Sequence, residues 1–289
     1  MGTVITVMNM KGGVGKTTVA AHIGGMLARY AHNGKRRSVL LIDYDPQFNL
    51  SQSFIPADDY EAAEKDRKTV LAVLLDDPRK LDPFRLHVSA NEQPPSVSTL
   101  EYSIYKKTQI HERLSIIPST IDLMYVALGE ATGSTRPIEQ RFKKFVCEAR
   151  ELFDVVIVDC HPAGSIFTKT ALQNSDHVII PVVPEGYSVR GIGLMMKFID
   201  AQKIGVAGPT PHILFNRVPT NGLSVQENQI RANARYAPHC FTRTLKKYSV
   251  FADPREGRGF AWHSGKPWST TAFHNLNNVT EEVVTRLKI

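Results

Sequence analysis

Lys11-Gly12-Gly13-Val14-Gly15-Lys16-Thr17-Thr18, directly after the apolar stretch 4–7, decides how this chain folds. A β-rich run, a glycine-rich turn and an amphipathic helix, in that order, make a phosphate-binding loop. Glycines allow the backbone conformations of a tight strand-to-helix turn. Successive N–H groups then point inward as an anion nest, and the helix adds its positive N-terminal end. Lys16 is placed to reach terminal phosphates, Thr17 to ligate Mg²⁺, and Thr18 to donate to an inner phosphate. Chance assembly of seven such fixed residues is on the order of 10⁻⁹ per position. The ordinary pattern is G-x-x-x-x-G-K-[ST]. Laid on residues 10–17, it meets Met10 where the first glycine belongs and gains Lys11. One lysine suffices to cradle a nucleotide, so a second this early implies that something else in the site must be reached.

Strand and helix patterns alternate outward from the loop. Residues 4–9 are apolar and β-rich, and 17–30 carry Val19, Ile23, Leu27 and Tyr30 on one helical face. Gly24-Gly25 weakens that helix unless close packing against a sheet requires it. Asn33-Gly34 is expected to end it, before a second buried strand at 38–43. Further strands are expected at 114–117, 153–159, 178–183 and 213–215, and helices at 69–75, 122–128 and 138–152. A short helix at 279–289 comes last. Residues 56–112 are the least regular, with an Asp- and Pro-rich part at 76–95 that reads as loop with short helices. Continuous apolar strands alternating with helices predict an α/β fold: a mainly parallel twisted sheet with helices on both faces. With no internal repeat or low-complexity linker, residues 1–289 read as one domain.

In open parallel sheets, ligands bind beyond the carboxyl ends of the strands. Asp43, Asp45 and Asp159 sit at such ends. Asp159 ends the apolar run 155–158, the way an acid presents itself to a Mg²⁺-bound water. Asp45, two residues beyond Asp43, is placed to orient or deprotonate an attacking water. A lone strand-end Asp is otherwise a cap or turn former. His161, near Asp159, either touches the site or is a structural histidine.

Composition narrows the remaining choices. A length of 289 residues, 42% hydrophobic and 22% charged, fits one large or two small soluble domains. The longest apolar runs are strand-length and cannot span a bilayer, and no signal-like segment opens the chain. Cys147, Cys160 and Cys240 lack C-x-x-C spacing and cannot all pair, which points to a reducing cytoplasm. Ten histidines show no zinc spacing, and Gly164-Ser165 lacks the nucleophile elbow. The net charge of +7 is concentrated in residues 231–268. There Arg231, Arg235, Arg243, Lys246, Lys247, Arg255, Arg258 and Lys266 oppose only Asp253 and Glu256, among seven aromatics. That clustering is an electrostatic footprint for a polyanion, or else a solvated face over aromatic core residues.

The chain resembles the ParA/MinD group of deviant Walker-A ATPases, and within it the ParA-type partition proteins. The resemblance is carried by KGGVGKTT at 11–18, LLIDYDPQFNLS at 40–51, LSIIPSTIDL at 114–123, FDVVIVDCHPAG at 153–164, VIIPVVPE at 178–185 and ILFNR at 213–217. It implies that Lys11 crosses an ATP-sandwiching homodimer to the partner's phosphates. Gly12, Gly13, Val14 and Gly15 would form the nest, Lys16 would bind β/γ-phosphate, Thr17 Mg²⁺ and Thr18 the α-phosphate. Asp45 would position the water, Asp43 would support that switch segment, Asp159 would be the Walker-B acid, and Asn216 would hydrogen-bond adenine. The chain departs from the family at His161, where proline is usual. It begins at the first strand, without the helix-turn-helix extension of larger relatives, so operator binding is not expected.

The resemblance implies a Mg²⁺-dependent ATPase, slow and partner-stimulated, that segregates DNA. Its ATP-bound dimer would bind nonspecific DNA through Arg231, Arg235, Arg243, Lys246 and Lys247, with strong salt dependence. A ParB-like centromere-binding adaptor would stimulate hydrolysis and release it, leaving the protein cytoplasmic and nucleoid-associated. The same chemistry would serve positioning of another cargo. A MinD-like membrane regulator needs a basic amphipathic tail, and Glu281 and Glu282 in the last helix oppose that. A small-molecule-modifying P-loop enzyme leaves the basic stretch without a role.

Overall fold

The computed structural model describes residues 1–77, 81–82, 84–86, 88–105, 113–131, 133–161, 166–186, 188–201, 208–252 and 260–289. Arg255, Arg258, Asp253 and Glu256 of the basic stretch, and Gly164 and Ser165 after the third acid, lie outside them. The chain begins with β1 (Thr3–Val7), α1 (Lys16–Arg29), β2 (Val39–Tyr44), α2 (Asn49–Phe54), α3 (Ala57–Lys65) and α4 (Val70–Leu74). It continues with β3 (Arg85–Leu86), α5 (Val97–Leu100), β4 (Tyr102–Ser103), β5 (Leu114–Ile117), α6 (Leu123–Leu128) and β6 (Glu130–Ala131). Then come α7 (Arg136–Leu152), β7 (Val155–Cys160), α8 (Ile166–Gln173), β8 (His177–Val182) and α9 (Ser188–Ala201). The last elements are β9 (Thr210–Phe215), α10 (Val225–Ala232) and α11 (Ser269–Leu287).

Seven strands form one sheet in the order β4-β5-β2-β7-β1-β8-β9, parallel throughout except for the antiparallel edge β4. The two-residue strands β3 and β6 pair separately. The apolar runs form central strands because both faces are covered, so side chains of either parity are buried. Val4, Leu40, Ile42, Val156 and Val158 enter one core with α7 and α8. Ile5, Val7, Leu41, Val155 and Ile157 enter the other with α1 and α11. The strand order reverses at β1, with β7 on one side and β8 on the other. That reversal opens a crevice beyond the carboxyl end of β1, where the glycine-rich loop lies.

Glycine pair 24–25 has two different causes. A Cβ on Gly24 would stand 2.7 Å from Leu41 Cδ2 on β2, so the helix does press on the sheet there. On Gly25 it would stand 2.2 Å from the buried Phe260 ring. The Asn33-Gly34 expectation is displaced: α1 ends at Arg29, and the two residues, at φ 53° and 73°, make the turn that follows. The last helix is not short. It begins at Ser269 and runs 19 residues, with Ala272, Leu276, Val279, Val283, Val284 and Leu287 buried. Its apolar face therefore packs in the core. Among the described residues no helix is long and apolar enough to cross a membrane.

Segment 56–112 holds more structure than its sequence suggests. α3 has no buried residue, yet it is tied down by Tyr60, which stacks on Phe48 and donates to the Ser119 carbonyl at 3.0 Å. Buried Arg141 on α7 donates to the carbonyls of Ala72 (2.8 Å), Val73 (2.9 Å), Asn91 (3.3 Å) and Gln93 (2.5 Å). One guanidinium thus clamps α4 and the following loop to the sheet's covering layer.

His22 gives the fold a pH limit. It lies inside α1 with Nδ1 on the Thr18 carbonyl, edge-on to Phe251 and Phe260. Burial lowers its pKa from 6.5 to about 4. A depressed histidine contributes stability that is present above pH 6.5 and lost as pH falls toward 4. At about 1.4 kcal/mol per pH unit, the loss is roughly 3 kcal/mol. Urea unfolding at pH 7 and pH 4 should show that loss in the wild type and a correspondingly smaller one in His22→Leu. Equal losses would mean that His22 is not the titrating group.

Candidate functional site

The loop between β1 and α1 is held open by its neighbours. Asn9, buried at the end of β1, donates to the Pro181 carbonyl (2.7 Å) and accepts from the Lys11 N–H (3.0 Å). Gly13 and Gly15 adopt φ 72° and 85°, the left-handed region that a Cβ disfavours. Gly15 has a second reason to lack a side chain, since a Cβ would meet Asn216 Nδ2 at 2.5 Å. Asn216 donates to the Val14 carbonyl (2.8 Å) and accepts from the Arg217 N–H (2.9 Å), while the Arg217 guanidinium donates to the Gly13 carbonyl (2.8 Å). The adenine contact implied for Asn216 thus meets an amide that already braces the loop. Arg217, in the same quoted motif, is a site residue that sequence reasoning passed over.

The two lysines differ in what surrounds them. Lys16 is buried at the first turn of α1, within electrostatic reach of Asp159. Lys11 is half exposed, and its ammonium pairs with Glu185 at 3.0 Å across the cleft wall. Neither Lys11 nor Glu185 is fixed by burial, and a surface pair of this kind is easily exchanged for another.

The three acids come together as their strand ends predict. Asp43 and Asp159 are register partners on β2 and β7. Asp159 is buried and accepts from the Thr17 hydroxyl. Burial, and then Asp45, push its pKa up to about 7 against the pull of Thr17 and Lys16. Its Oδ2 is buried without a hydrogen-bond partner among the described residues. A buried carboxylate oxygen left unpaired beside a threonine hydroxyl suits a hydrated divalent cation. Thr17 and Asp159 would hold Mg²⁺ there.

Asp43 lies deeper, its carboxyl raised well above the usual range by burial and by Asp159. It accepts from the Ser51 N–H (2.8 Å) and hydroxyl (2.7 Å), fixing the start of α2. The Ser51 hydroxyl oxygen accepts the Ser119 N–H (2.9 Å), and the Ser119 hydroxyl donates to the Asp45 carbonyl (2.6 Å). Asp45 itself is partly exposed, with Oδ1 accepting the Gln47 N–H. Asp43 therefore anchors a serine-linked frame that fixes the backbone of Asp45.

A cleft of about 680 Å³ adjoins the loop, lined by Lys11, Gly12, Gly13, Val14, Thr18, Asn216, Arg217, Glu185, Tyr248 and Phe251. Lys246 and Lys247 line it too. These two lysines reach the cleft because the Lys247 N–H donates to the Val218 carbonyl (2.9 Å) and the Val218 N–H to Leu245 (3.2 Å). The other three basic candidates are elsewhere. Arg231 pairs with buried Glu227 and donates to the carbonyls of Phe241 and Thr242. Arg235 faces Asp200 at 3.9 Å, and Arg243 is exposed. Of the aromatics in the basic stretch, Tyr236, Phe241, Phe251 and Phe260 are buried and Trp268 is 73% exposed. The stretch is chiefly core beneath a charged surface, and part of that surface faces the cleft.

Comparison with known proteins agrees with this geometry. A family model for an AAA domain matches residues 2–205. The sporulation initiation inhibitor protein Soj of Bacillus subtilis is 32% identical over 199 residues, 69% of this chain and 65% of that one. The chromosome-partitioning ATPase Soj of Treponema pallidum is 28% identical over 206 residues, 71% of this chain and 67% of that one. The chain thus spans about two thirds of the length of these curated relatives. Among solved structures, a putative plasmid partition protein of Borrelia burgdorferi bound to AMPPNP matches 99% of each chain, with a TM-score of 0.68 at 19% identity.

Proposed function

This chain belongs to the AAA domain family as a ParA-type P-loop ATPase, and from that membership we propose an ATP-switched DNA-segregation protein that works as a homodimer. The observation that carries the proposal is the separation of the two lysines: Lys16 is buried in its own cradle, and Lys11 stands outside it on a breakable pair. ATP enters the cleft with its phosphates in the nest of residues 12–15, Lys16 at the terminal phosphates and Thr18 at the inner one. Thr17 and Asp159 would hold Mg²⁺, which would supply neutralisation of the phosphate charge. A second subunit then draws Lys11 off Glu185 and across to its own phosphates, where a cation neutralises charge that develops in phosphoryl transfer, as an arginine finger does. Asp45, framed by Asp43, Ser51 and Ser119, orients the attacking water.

In this reading the ATP dimer holds nonspecific DNA in the nucleoid, and a ParB-like centromere-binding adaptor speeds a slow hydrolysis that releases it. The positions of the basic residues divide the candidates. Arg235 and Arg243 are offered to DNA, with Arg231 as their structural support. Lys246 and Lys247 serve the bound nucleotide first and DNA only beyond it. Lys246→Glu with Lys247→Glu should therefore weaken nucleotide binding ~10-fold or more, through like-charge repulsion inside the cleft. Arg235→Glu with Arg243→Glu should leave nucleotide affinity unchanged and lower the salt slope of DNA binding by about one per lost phosphate contact. Nucleotide titrations and DNA binding at two salt concentrations check both pairs. Nucleotide affinity unaltered by the lysine reversals would return those residues to the DNA surface.

DNA binding measured with ATP, ADP and no nucleotide, beside anionic liposomes, tests the function itself. Binding to DNA only with ATP, and weakening steeply with salt, is expected. Liposome binding without DNA binding would overturn the reading.

A further inference from the structure

His161 follows the Walker-B acid by two residues and has no part in the scheme above. Its backbone N–H donates to the Tyr44 carbonyl at 3.2 Å, which extends the β2–β7 ladder one step past the pairs Asp43–Asp159 and Tyr44–Cys160. A proline at this position has no N–H and could not make that bond. The extra rung fixes where the histidine stands. Side chains alternate along a strand, so His161 shares the sheet face of Asp159, and the register carries it opposite Asp45. Asp43 and Asp159 are register partners, and continuing that register one residue past the strand ends at Tyr44 and Cys160, along the His161 N–H bond to Tyr44, sets Asp45 beside His161. Adjacent strands are about 4.8 Å apart, so the second pair can hold one small molecule between its tips.

Two polar atoms in this block are buried without partners among the described residues: Asp159 Oδ2 and His161 Nδ1. Leaving such an atom unsatisfied is unfavourable, and at a site a water, an ion or a catalytic role accounts for it. The carboxylate oxygen has the Mg²⁺ shell as its natural partner. The imidazole nitrogen has none among the described residues.

We propose that His161 is a positioning residue for hydrolysis, its Nδ1 hydrogen-bonding the attacking water that Asp45 orients from the neighbouring strand. Two groups on adjacent strands then fix the water's direction as well as its distance, and direction is what a single carboxylate leaves free. No bond to phosphorus is made or broken by the imidazole. This rests on the ATPase reading, and the test separates the two. Wild-type protein that hydrolyses no ATP, alone or with DNA, removes the reading itself.

Given wild-type turnover, three variants decide. His161→Ala should lower kcat at least ~10-fold while KM, fluorescent-nucleotide affinity and the unfolding midpoint hold within twofold and 2 °C or about so. His161→Asn, whose amide nitrogen falls where Nδ1 was, should recover most of the rate. His161→Gln, whose amide falls where Nε2 was, should not. An unchanged kcat in His161→Ala overturns the proposal, as does equal loss in the Asn and Gln variants. Parallel loss of nucleotide binding and thermal stability in all three would assign His161 to the fold instead.

Discussion

Lys16→Ala should abolish nucleotide binding, the largest effect on affinity expected in this protein. Lys16 is a buried cation at the first turn of α1, where the helix end and the nest of residues 12–15 already favour an anion. Its removal takes away the charge-assisted bonds to the terminal phosphates, each worth about 1.5–3 kcal/mol, so affinity should fall ~100-fold or more. It also removes the cation that offsets Asp159, whose carboxyl burial has already raised to about 7. Without Lys16 that carboxyl is harder to ionise and Mg²⁺ is harder to hold. Fluorescent-nucleotide titration with and without Mg²⁺ checks this. Binding within threefold of wild type would show that the cleft takes its ligand elsewhere.

Lys11→Ala should behave quite differently. The Lys11 side chain lies outside its own nest, and among the described residues its one ion pair is the exposed one with Glu185. Nucleotide affinity of the monomer should stay within a few-fold. Turnover should collapse, since cations supplied across an interface are worth about 10³–10⁵ in rate. Glu185→Gln should shift the balance the other way, freeing Lys11 and favouring dimers at lower protein concentration. Single-turnover ATP hydrolysis across a protein dilution series separates the two variants. A Lys11→Ala variant with wild-type turnover, or a Glu185→Gln variant that dimerises less readily, would contradict the cross-subunit assignment.

The sequence makes the centre of this molecule legible because central parallel strands must be apolar on both faces. Strands β2, β5, β7 and β8 appear as largely apolar runs, and Asp43 and Asp159 at the ends of β2 and β7 stand where the crevice opens. The loop is legible for the same local reason, since nest, lysine and threonine are adjacent in the chain. What escapes is either exposed or joined over long range. α3 buries no residue, so it shows no apolar period. Its marks are Pro56 at the N-cap, Asp58 and Asp59 in the first turn and Lys65 in the last, which are helix-end signals rather than core signals.

Lys246 and Lys247 escape for the second reason. Their place beside the nucleotide cleft is set by backbone bonds to Val218, a pairing across nearly thirty residues with no local signature. Read along the chain they belong to a basic stretch, and read in the fold they belong to the site. Glu185 and Arg217 are similar cases: both lie in recognisable motifs, and only the tertiary structure shows that one holds Lys11 and the other braces Gly13. Half of α11 is missed because Ser269, Thr270, Thr271, His274 and Asn275 interleave with Ala272 and Leu276 and hide the apolar stripe.

In the proposed cycle ATP joins two subunits through Lys11. Sedimentation velocity with wild-type and Lys11→Ala protein, each with ADP and with a non-hydrolysable ATP analogue, tests it most directly. Wild type should be monomeric with ADP and dimeric with the analogue, and Lys11→Ala should stay monomeric with both. A Lys11→Ala variant that dimerises with the analogue as well as the wild type does would contradict it.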